Sequence, residues 1–245
     1  MKYAFVADQK TTPRPGLRGY CIHCSNEMIA KCGKIKIWHW AHKTMDVCDS
    51  WWENESRWHR AWKDRFPERY QEVTHFNSIT GERHIADVKN EFGLVIEFQH
   101  STMTVDERDS REAFYQDMVW VVDGTRGAHD WTYFNIGTSG PIQKNPLLYS
   151  VKWWGQSRLL HFWAESSKTV YLDFGSKVLW RLVSFNPITR MGVVGLTAMS
   201  MFVEDCLSGT DMRWAFIDED QDLEEFRMPR PLVEVTLSEG DRSNY

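Results

Sequence analysis

Two acidic residues occupy stretches of the chain whose patterns place them side by side. Around Asp87 and again around Glu97, apolar and polar residues alternate, which is the period of a β-strand. The residues between the two stretches favour a hairpin with a three-residue loop, in which Gly93 takes the left-handed conformation. This register sets Asp87 opposite Glu97 on one face, with Gln99 two residues further along the second strand.

Carboxylates that face each other across a sheet repel, so such a pair needs a cation between them or a proton on one of them. Mg²⁺ and Mn²⁺ bind one or two carboxylates and keep sites for water and phosphate, which is the chemistry of phosphodiester hydrolysis. Asp87 and Glu97 are therefore candidate ligands for Mg²⁺ or Mn²⁺. The alternative is that both are solvated residues on the open face of an antiparallel sheet.

A second group of residues has the spacing of a zinc site. Four of the five cysteines lie in the first fifth of the chain, where Cys21 and Cys24 have zinc-knuckle spacing and precede His39, His42 and Cys48. A structural zinc takes four N or S ligands, so four of these five residues predict a closed Zn²⁺ site. Cys32 and Cys206 are expected to be spectators. The alternative is a set of buried thiols with structural histidines.

The stretch 50–66 has helical periodicity. Ser50 and Glu53 form a capping-box pattern at its start, and Pro67 stops it. Glu55 and His59 then fall within a stripe of aromatic residues, whereas Lys63 falls on the opposite side. Glu55 and His59 either satisfy each other at helical spacing or point towards the acidic hairpin.

The rest of the chain predicts a further set of elements. A strand over 71–79 leads into the hairpin, a helix capped at Thr104 runs to about Met118, and the apolar run 119–122 is a buried strand. Beyond residue 124 we expect a loop-rich connection, a hairpin over 168–182 that turns at Gly175, and an apolar helix over 196–207 stopped by Gly209. Aromatic pairs such as Phe162 and Trp163 are expected to be core residues or platforms for bases.

Composition restricts the class of protein. The 245 residues carry a net charge of -5, which argues against a protein that coats nucleic acid indiscriminately. No apolar stretch has the length of a membrane span, and no signal-peptide core follows Met1, so we expect a cytoplasmic protein without a membrane partner.

Taken in order, these features resemble the PD-(D/E)xK nuclease superfamily, and in detail its competence-protein CoiA-like branch. The residues that carry the resemblance span about 20–123: Cys21, Cys24, Gly33, His39 to His42, Cys48, Glu55, Ser56, His59, Lys63, Ala86 to Val88, Glu97 to Gln99, Ser101, Arg111 and Tyr115. Gln99 stands where the superfamily usually has lysine. The CoiA-like branch also has glutamine at this position. A glutamine can orient water by hydrogen bonding but brings no charge.

The resemblance implies an α/β fold with a restriction-endonuclease-like core, a mixed sheet flanked by helices, preceded by a zinc-binding element. We predict three regions: zinc-binding residues 1–49, the nuclease-like core 50–124, and an α+β region 125–245. The resemblance further implies a metal-dependent deoxyribonuclease that acts on single- or double-stranded DNA. In it Asp87 and Glu97 bind the metal, Glu55 is a third carboxylate, Gln99 positions water, and His59 and Arg111 handle protons or phosphate.

Two other readings of the function remain open. A catalytically inactive DNA-binding or adaptor protein would keep the fold and the zinc, and an RNA-directed nuclease would differ only in substrate. A second copy of the chain and other DNA-processing proteins are further candidate partners.

Overall fold

The computed structural model describes residues 1–44, 48–51, 55–210 and 212. Within these residues, no helix combines the length and the apolar character needed to span a bilayer. The acidic run 218–225 lies outside the described residues, as does Glu53 of the expected capping box.

The N-terminal part forms a five-stranded antiparallel sheet with strand order β2-β1-β3-β4-β5. Its strands are β1 (Ala4–Val6), β2 (Gln9–Thr11), β3 (Arg18–Tyr20), β4 (Glu27–Lys31) and β5 (His39–His42). A small core that includes Met28 and Trp40 holds this sheet together.

The remaining strands form one nine-stranded mixed sheet with the order β10-β11-β14-β13-β12-β9-β8-β7-β6. They are β6 (Gln71–Phe76), β7 (Arg83–Lys89), β8 (Val95–Gln99), β9 (Met118–Asp123), β10 (Thr138–Lys144), β11 (Leu147–Lys152), β12 (Thr169–Asp173), β13 (Val178–Asn186) and β14 (Met191–Ala198). The central strands β8, β9 and β12 run parallel, and the other neighbours are antiparallel. The mixed α/β prediction is confirmed. Strands from both sides of the predicted boundary at residue 124 share this sheet.

In the described parts of the chain, five α-helices cover the two faces of the large sheet. They are α1 (Arg57–Lys63), α2 (Val105–Phe114), α3 (Asp130–Gly137), α4 (Leu159–Trp163) and α5 (Met199–Ser208). Alternate residues of the central strands enter two separate apolar clusters, one with α2, α3 and α4 and the other with α1 and α5. Burial on both faces explains why β9 is apolar along nearly its whole length.

Several local predictions are confirmed. Gly93 has a φ of 96° in the turn between β7 and β8, and Gly175 has a φ of 79° between β12 and β13. Thr104 caps α2, because its side chain accepts the hydrogen bond of the Glu107 backbone N–H. Gly209 ends α5 in the left-handed conformation.

Other local predictions are wrong. Helix α1 begins at Arg57 with Ser56 as its cap, so neither Ser50 nor Glu55 is part of it. The expected loop after residue 124 contains α3 and β10, and the expected helix over 196–207 is present as α5 but starts only at Met199, after the end of β14. These two differences have separate causes. Gly and Pro are tolerated on an edge strand such as β10, and a fully buried apolar run carries no clear period.

Candidate functional site

The Cys/His residues converge at the base of the N-terminal sheet. The ligand atoms of Cys21, Cys24, His42 and Cys48 all lie within 4.8 Å of one another. The Sγ atoms of Cys21 and Cys48 are 3.8 Å apart, and Cys24 Sγ is 3.3 Å from His42 Nε2. Zn–S bonds of about 2.3 Å in a tetrahedron place sulfurs about 3.8 Å apart, so this donor set fits one zinc ion.

The strand geometry of β5 selects one of the two candidate histidines. Residues three apart on a strand point to opposite faces, so His39 and His42 cannot both face the cysteines. His42 joins the cluster, whereas His39 Nδ1 lies 2.9 Å from the carbonyl oxygen of Ile37. The thiol of Cys48 lowers the pKa of Cys21 to about 4, since its hydrogen bond stabilises a thiolate there, and the pKa of Cys48 rises in return.

The residue after Cys48 connects this cluster to the large sheet. Asp49 is buried, and its Oδ2 accepts the backbone N–H of Ile85 at 2.8 Å while its Oδ1 lies 2.8 Å from His84 Nδ1. Burial alone would lower the pKa of His84, but the hydrogen bonds to Asp49 and Glu82 outweigh burial and raise it. The ring of Trp51 stacks on His84 with a centroid distance of 3.3 Å.

The hairpin opens where the acidic pair begins. The predicted register is present at Lys89 with Val95 and at Val88 with Ile96, and there the regular pairing of β7 with β8 ends. Carboxylates then take the place of the backbone partners. Glu97 Oε1 accepts the Asp87 N–H at 3.2 Å, and Asp87 Oδ2 accepts the Phe98 N–H at 3.0 Å. The two acidic side chains thus hold the strands apart at the edge of a cavity of about 70 Å³.

Glu97 lies deepest in this cavity. It is only 4% exposed, and burial together with the charge of Asp87 raises the pKa of Glu97 to about 8, although Arg111 opposes the shift. The pKa of Glu97 thus lies above the ordinary range of a carboxyl even though Arg111 is close to it, and a further cation nearby would lower that pKa.

Lys63 stands among the other carboxylates of the cavity. Its Nζ is 2.6 Å from Glu55 Oε1, 2.9 Å from Glu72 Oε1 and 3.8 Å from Asp87 Oδ1. Lys63 is 3% exposed; burial would lower its pKa, but the charges of Glu72 and Glu55 raise it. Burial likewise opposes the charge of Glu55, yet Lys63 and Arg60 lower the pKa of Glu55 to about 2. The expectation that Lys63 lies on the outer side of its helix is wrong.

Glu72 is a site residue that the sequence pattern does not single out. Its φ of 49° lies in the left-handed region, a strained conformation for a residue other than glycine. The carboxylate also accepts the backbone N–H groups of Lys2 at 2.7 Å and of Tyr3 at 3.0 Å. The strained backbone is thus held by contacts that join β6 to the N-terminal part of the chain.

His59 and Glu55 do not satisfy each other. His59 Nδ1 lies 3.2 Å from Ser56 Oγ, and its Nε2 contacts the Phe98 carbonyl oxygen. That oxygen can only accept, so Nε2 carries the proton and donates it. His59 lines the cavity while it fixes α1 against β8, and Glu55 pairs with Arg60 and Lys63 instead.

Arg111 reaches the same cavity from α2. Its Nη1 is 3.2 Å from Glu97 Oε2, and its Nη2 donates to the Trp51 carbonyl at 2.9 Å and to Glu107 at 2.6 Å. The hydroxyl of Tyr115 is buried without a hydrogen-bond partner among the described residues. Burial, followed by the charge of Glu97, raises the pKa of Tyr115.

Gln99 borders a different cavity from the acidic pair. Its amide donates to the carbonyl oxygen of Ser101 at 3.0 Å, and the residue lines a cavity of about 510 Å³ beyond the end of β8. The group that faces Asp87 is therefore the ammonium of Lys63 and not the amide of Gln99.

The predicted acidic site is thus assembled in space. Glu55, His59, Asp87, Glu97 and Arg111 line one cavity, and the structure adds Asp49, Lys63 and Glu72 to them. Acidic side chains outnumber basic ones in this lining. In the described part of the chain, however, only the Cys/His set brings three or more candidate ligand atoms within 4.8 Å of one another.

The fold and these sites define a mixed α/β protein with a Cys/His element that can bind a metal ion. Residues 17–50 match the family model described as competence protein CoiA, N-terminal domain. The match confirms the predicted resemblance to the CoiA-like family, over the segment that holds the Cys/His ligands. No curated protein and no solved structure matches the chain.

Proposed function

We propose that this protein is a divalent-metal-dependent deoxyribonuclease with a PD-(D/E)xK-type core and a structural zinc. The observation that carries the proposal is the hairpin that opens at Asp87 and Glu97, with Lys63 buried beside the acidic pair. Oxygen ligands of this kind suit Mg²⁺ or Mn²⁺. Asp87 and Glu97 would hold the ion, and Glu55 is a candidate third carboxylate.

The residues of the cavity have distinct parts in this proposal. When bound, the divalent ion supplies a water of lowered pKa and positive charge for the phosphate. Positive charge beside Glu97 would favour its carboxylate form, which is the form that could hold the ion. Lys63 keeps its charge because Glu55 and Glu72 flank it, and it supplies the cation that Gln99 cannot.

The supporting residues fix the geometry of this arrangement. His59 docks α1, and with it Lys63, onto the Phe98 carbonyl of β8. Arg111 orients Glu97 and places a second positive charge near the metal ligands. Gln99 remains a candidate for orienting water next to the strand end.

The test is a cleavage assay with single-stranded DNA, double-stranded DNA and RNA, each with Mg²⁺ or Mn²⁺. The wild-type protein should cleave DNA only when the metal is added, and Asp87→Asn and Glu97→Gln should lose activity while remaining folded. Asp117→Asn is the matched control, because Asp117 is exposed and outside the cavity. Cleavage by Asp87→Asn at the wild-type rate would rule out the metal site.

One observation favours a second candidate, a DNA-binding or adaptor protein without activity. Lys63 already neutralises Glu55 and Glu72 within the protein, so these acids need no metal. This candidate predicts DNA binding without cleavage under every metal condition. A wild-type protein that cleaves DNA, with activity lost in Asp87→Asn, excludes it.

A further inference from the structure

The cavity of about 510 Å³ contains an acidic side chain that is not part of the acidic site. Asp130 is 7% exposed and lines this cavity, and its carboxylate has no hydrogen-bond or ion-pair partner among the described residues. The carboxylate oxygens reach the accessible space of the cavity, where they can accept hydrogen bonds from the donors of a ligand.

The fold keeps this carboxylate close to the backbone. A Cβ atom added to Gly127 would come within 2.3 Å of Asp130 Oδ2. A larger residue at position 127 would displace the Asp130 side chain, so Gly127 leaves room for this carboxylate at the cavity wall.

The edge of the cavity carries the opposite charge. Arg126 and Arg158 line it, are exposed, and have no ion-pair or hydrogen-bond partner for their guanidinium groups among the described residues. Unpaired guanidinium groups are suited to bind a phosphate through two N–H donors. One cavity thus offers a buried acceptor inside and anion-binding donors at its edge.

The remaining walls suit a flat aromatic ligand. Phe162, Trp163 and His100 line the cavity, and His100 Nδ1 lies 2.6 Å from Asp123 Oδ2. A volume of about 510 Å³ is in the range of small-molecule sites. The cavity also lies beyond the carboxyl ends of parallel strands β8 and β9, where α/β sheets bind ligands.

We propose that this cavity binds one guanine nucleotide of a DNA strand. The Watson–Crick edge of guanine has two adjacent N–H donors, which match the two acceptor oxygens of Asp130, whereas the other bases offer no such pair. Arg126 and Arg158 take the phosphate, and Phe162 and Trp163 contact the base. The proposal rests on the proposed action on DNA, because Gln99 joins this cavity to the strand that carries Glu97.

The experiment is a calorimetric titration of the full chain with dGMP, dAMP, dCMP, dTMP and inorganic phosphate. Mg²⁺ and Mn²⁺ are left out, and no chelator is added, so the acidic hairpin is not loaded with metal. The dGMP should bind with a Kd below about 1 mM and at least about tenfold more tightly than the other probes.

Two variants assign the contacts. Asp130→Asn should raise the Kd for dGMP about tenfold or more, as expected for a lost hydrogen bond to a charged group, and remove the preference for guanine. Arg158→Gln should weaken all four nucleotides. The matched controls are Asp117→Asn and Arg14→Gln, which change exposed residues away from the cavity and should bind dGMP like the wild type.

The outcomes separate this inference from the proposed nuclease. Equal affinity for the four nucleotides, equal affinity for dGMP and phosphate, or wild-type dGMP binding by Asp130→Asn would overturn the guanine site. Binding of dGMP by a protein that never cleaves DNA overturns only the nuclease proposal. Cleavage of DNA by a protein that binds no dGMP overturns only the inference drawn from Asp130.

Discussion

Replacement of Lys63 by methionine tests whether the acidic cavity depends on an internal cation. Methionine keeps most of the length of the side chain but removes the ammonium between Glu55 and Glu72. Removing one partner of a buried ion pair costs about 3–5 kcal/mol, because it leaves an uncompensated charge. Glu55 keeps Arg60 and Glu72 keeps two backbone amides, so we expect the lower value, about 3 kcal/mol.

The measurement is urea unfolding followed by tryptophan fluorescence, with the slope of the transition compared between variants. Lys34→Met is the matched control, since Lys34 is exposed. Adding Glu72→Gln to Lys63→Met removes one uncompensated charge and should recover at least about 1 kcal/mol. A loss below about 1 kcal/mol in Lys63→Met, or no recovery in the double variant, would refute the reasoning.

The difference in the free energy of unfolding between the wild type and Lys63→Met should also depend on pH. Lys63 and Arg60 lower the pKa of Glu55 to about 2. A lowered pKa contributes stability above the pKa of the unfolded chain, and that stability is lost as the pH falls through the folded value. The advantage of the wild type over Lys63→Met should therefore be full at neutral pH and shrink below about pH 4. A constant difference down to pH 2 would show that Glu55 is not the group involved.

Three further predictions concern other parts of the chain. Purified protein should carry about one zinc per chain; Cys21→Ser should lose it and destabilise the N-terminal sheet, whereas Cys32→Ser should retain it, as elemental analysis would show. Gln99→Ala should lower single-turnover cleavage about 10²–10³-fold if its amide orients water, and an unchanged rate would exclude that role; Gln99→Lys should keep activity if the cavity tolerates the charge. The raised pKa of His84 stabilises the folded protein at low pH, and this stability is lost as the pH rises through the pKa of the folded state. In His84→Gln, the free energy of unfolding measured from pH 5 to 9 should therefore fall less steeply than in the wild type.

The hairpin was accessible to sequence reasoning because its signals are local. Gly93 and the period-2 alternation define the turn and the register, and both depend only on neighbouring residues. The Cys/His site was accessible for a similar reason, since ligand spacing is a short-range property. The choice of His42 over His39 additionally needed the knowledge that both lie on a strand.

The misplaced residues of the acidic site have a geometric cause. Lys63 lies four residues after His59 and therefore on the same face of the helix, so only the charge of its side chain favoured a place on the outer side. Glu72 looks like an outward residue of an alternating strand, and only its left-handed backbone turns it inward. Such long-range compensation of charge between α1, β6 and β7 leaves no pattern in any one segment.

Asp130 was missed for a related reason. It follows Gly124 and Gly127 in a stretch whose composition predicts a loop, and a single aspartate there is unremarkable. Its burial arises only in the folded chain, where the start of α3 lines the same cavity as the carboxyl ends of β8 and β9. The unpartnered carboxylate is thus a property of the tertiary structure alone.

Asp49 connects the Cys/His cluster to the large sheet, and this connection affects how experiments with chelators are interpreted. Cys48 belongs to the Cys/His set, and the next residue holds the backbone of Ile85, two positions before Asp87. A chelator that strips zinc would release Asp49 and disturb β7, even though the acidic hairpin itself had lost nothing. In the proposed nuclease, inhibition by a chelator would therefore report on two sites at once. Exchange of one added divalent ion for another, with zinc content measured alongside, distinguishes them.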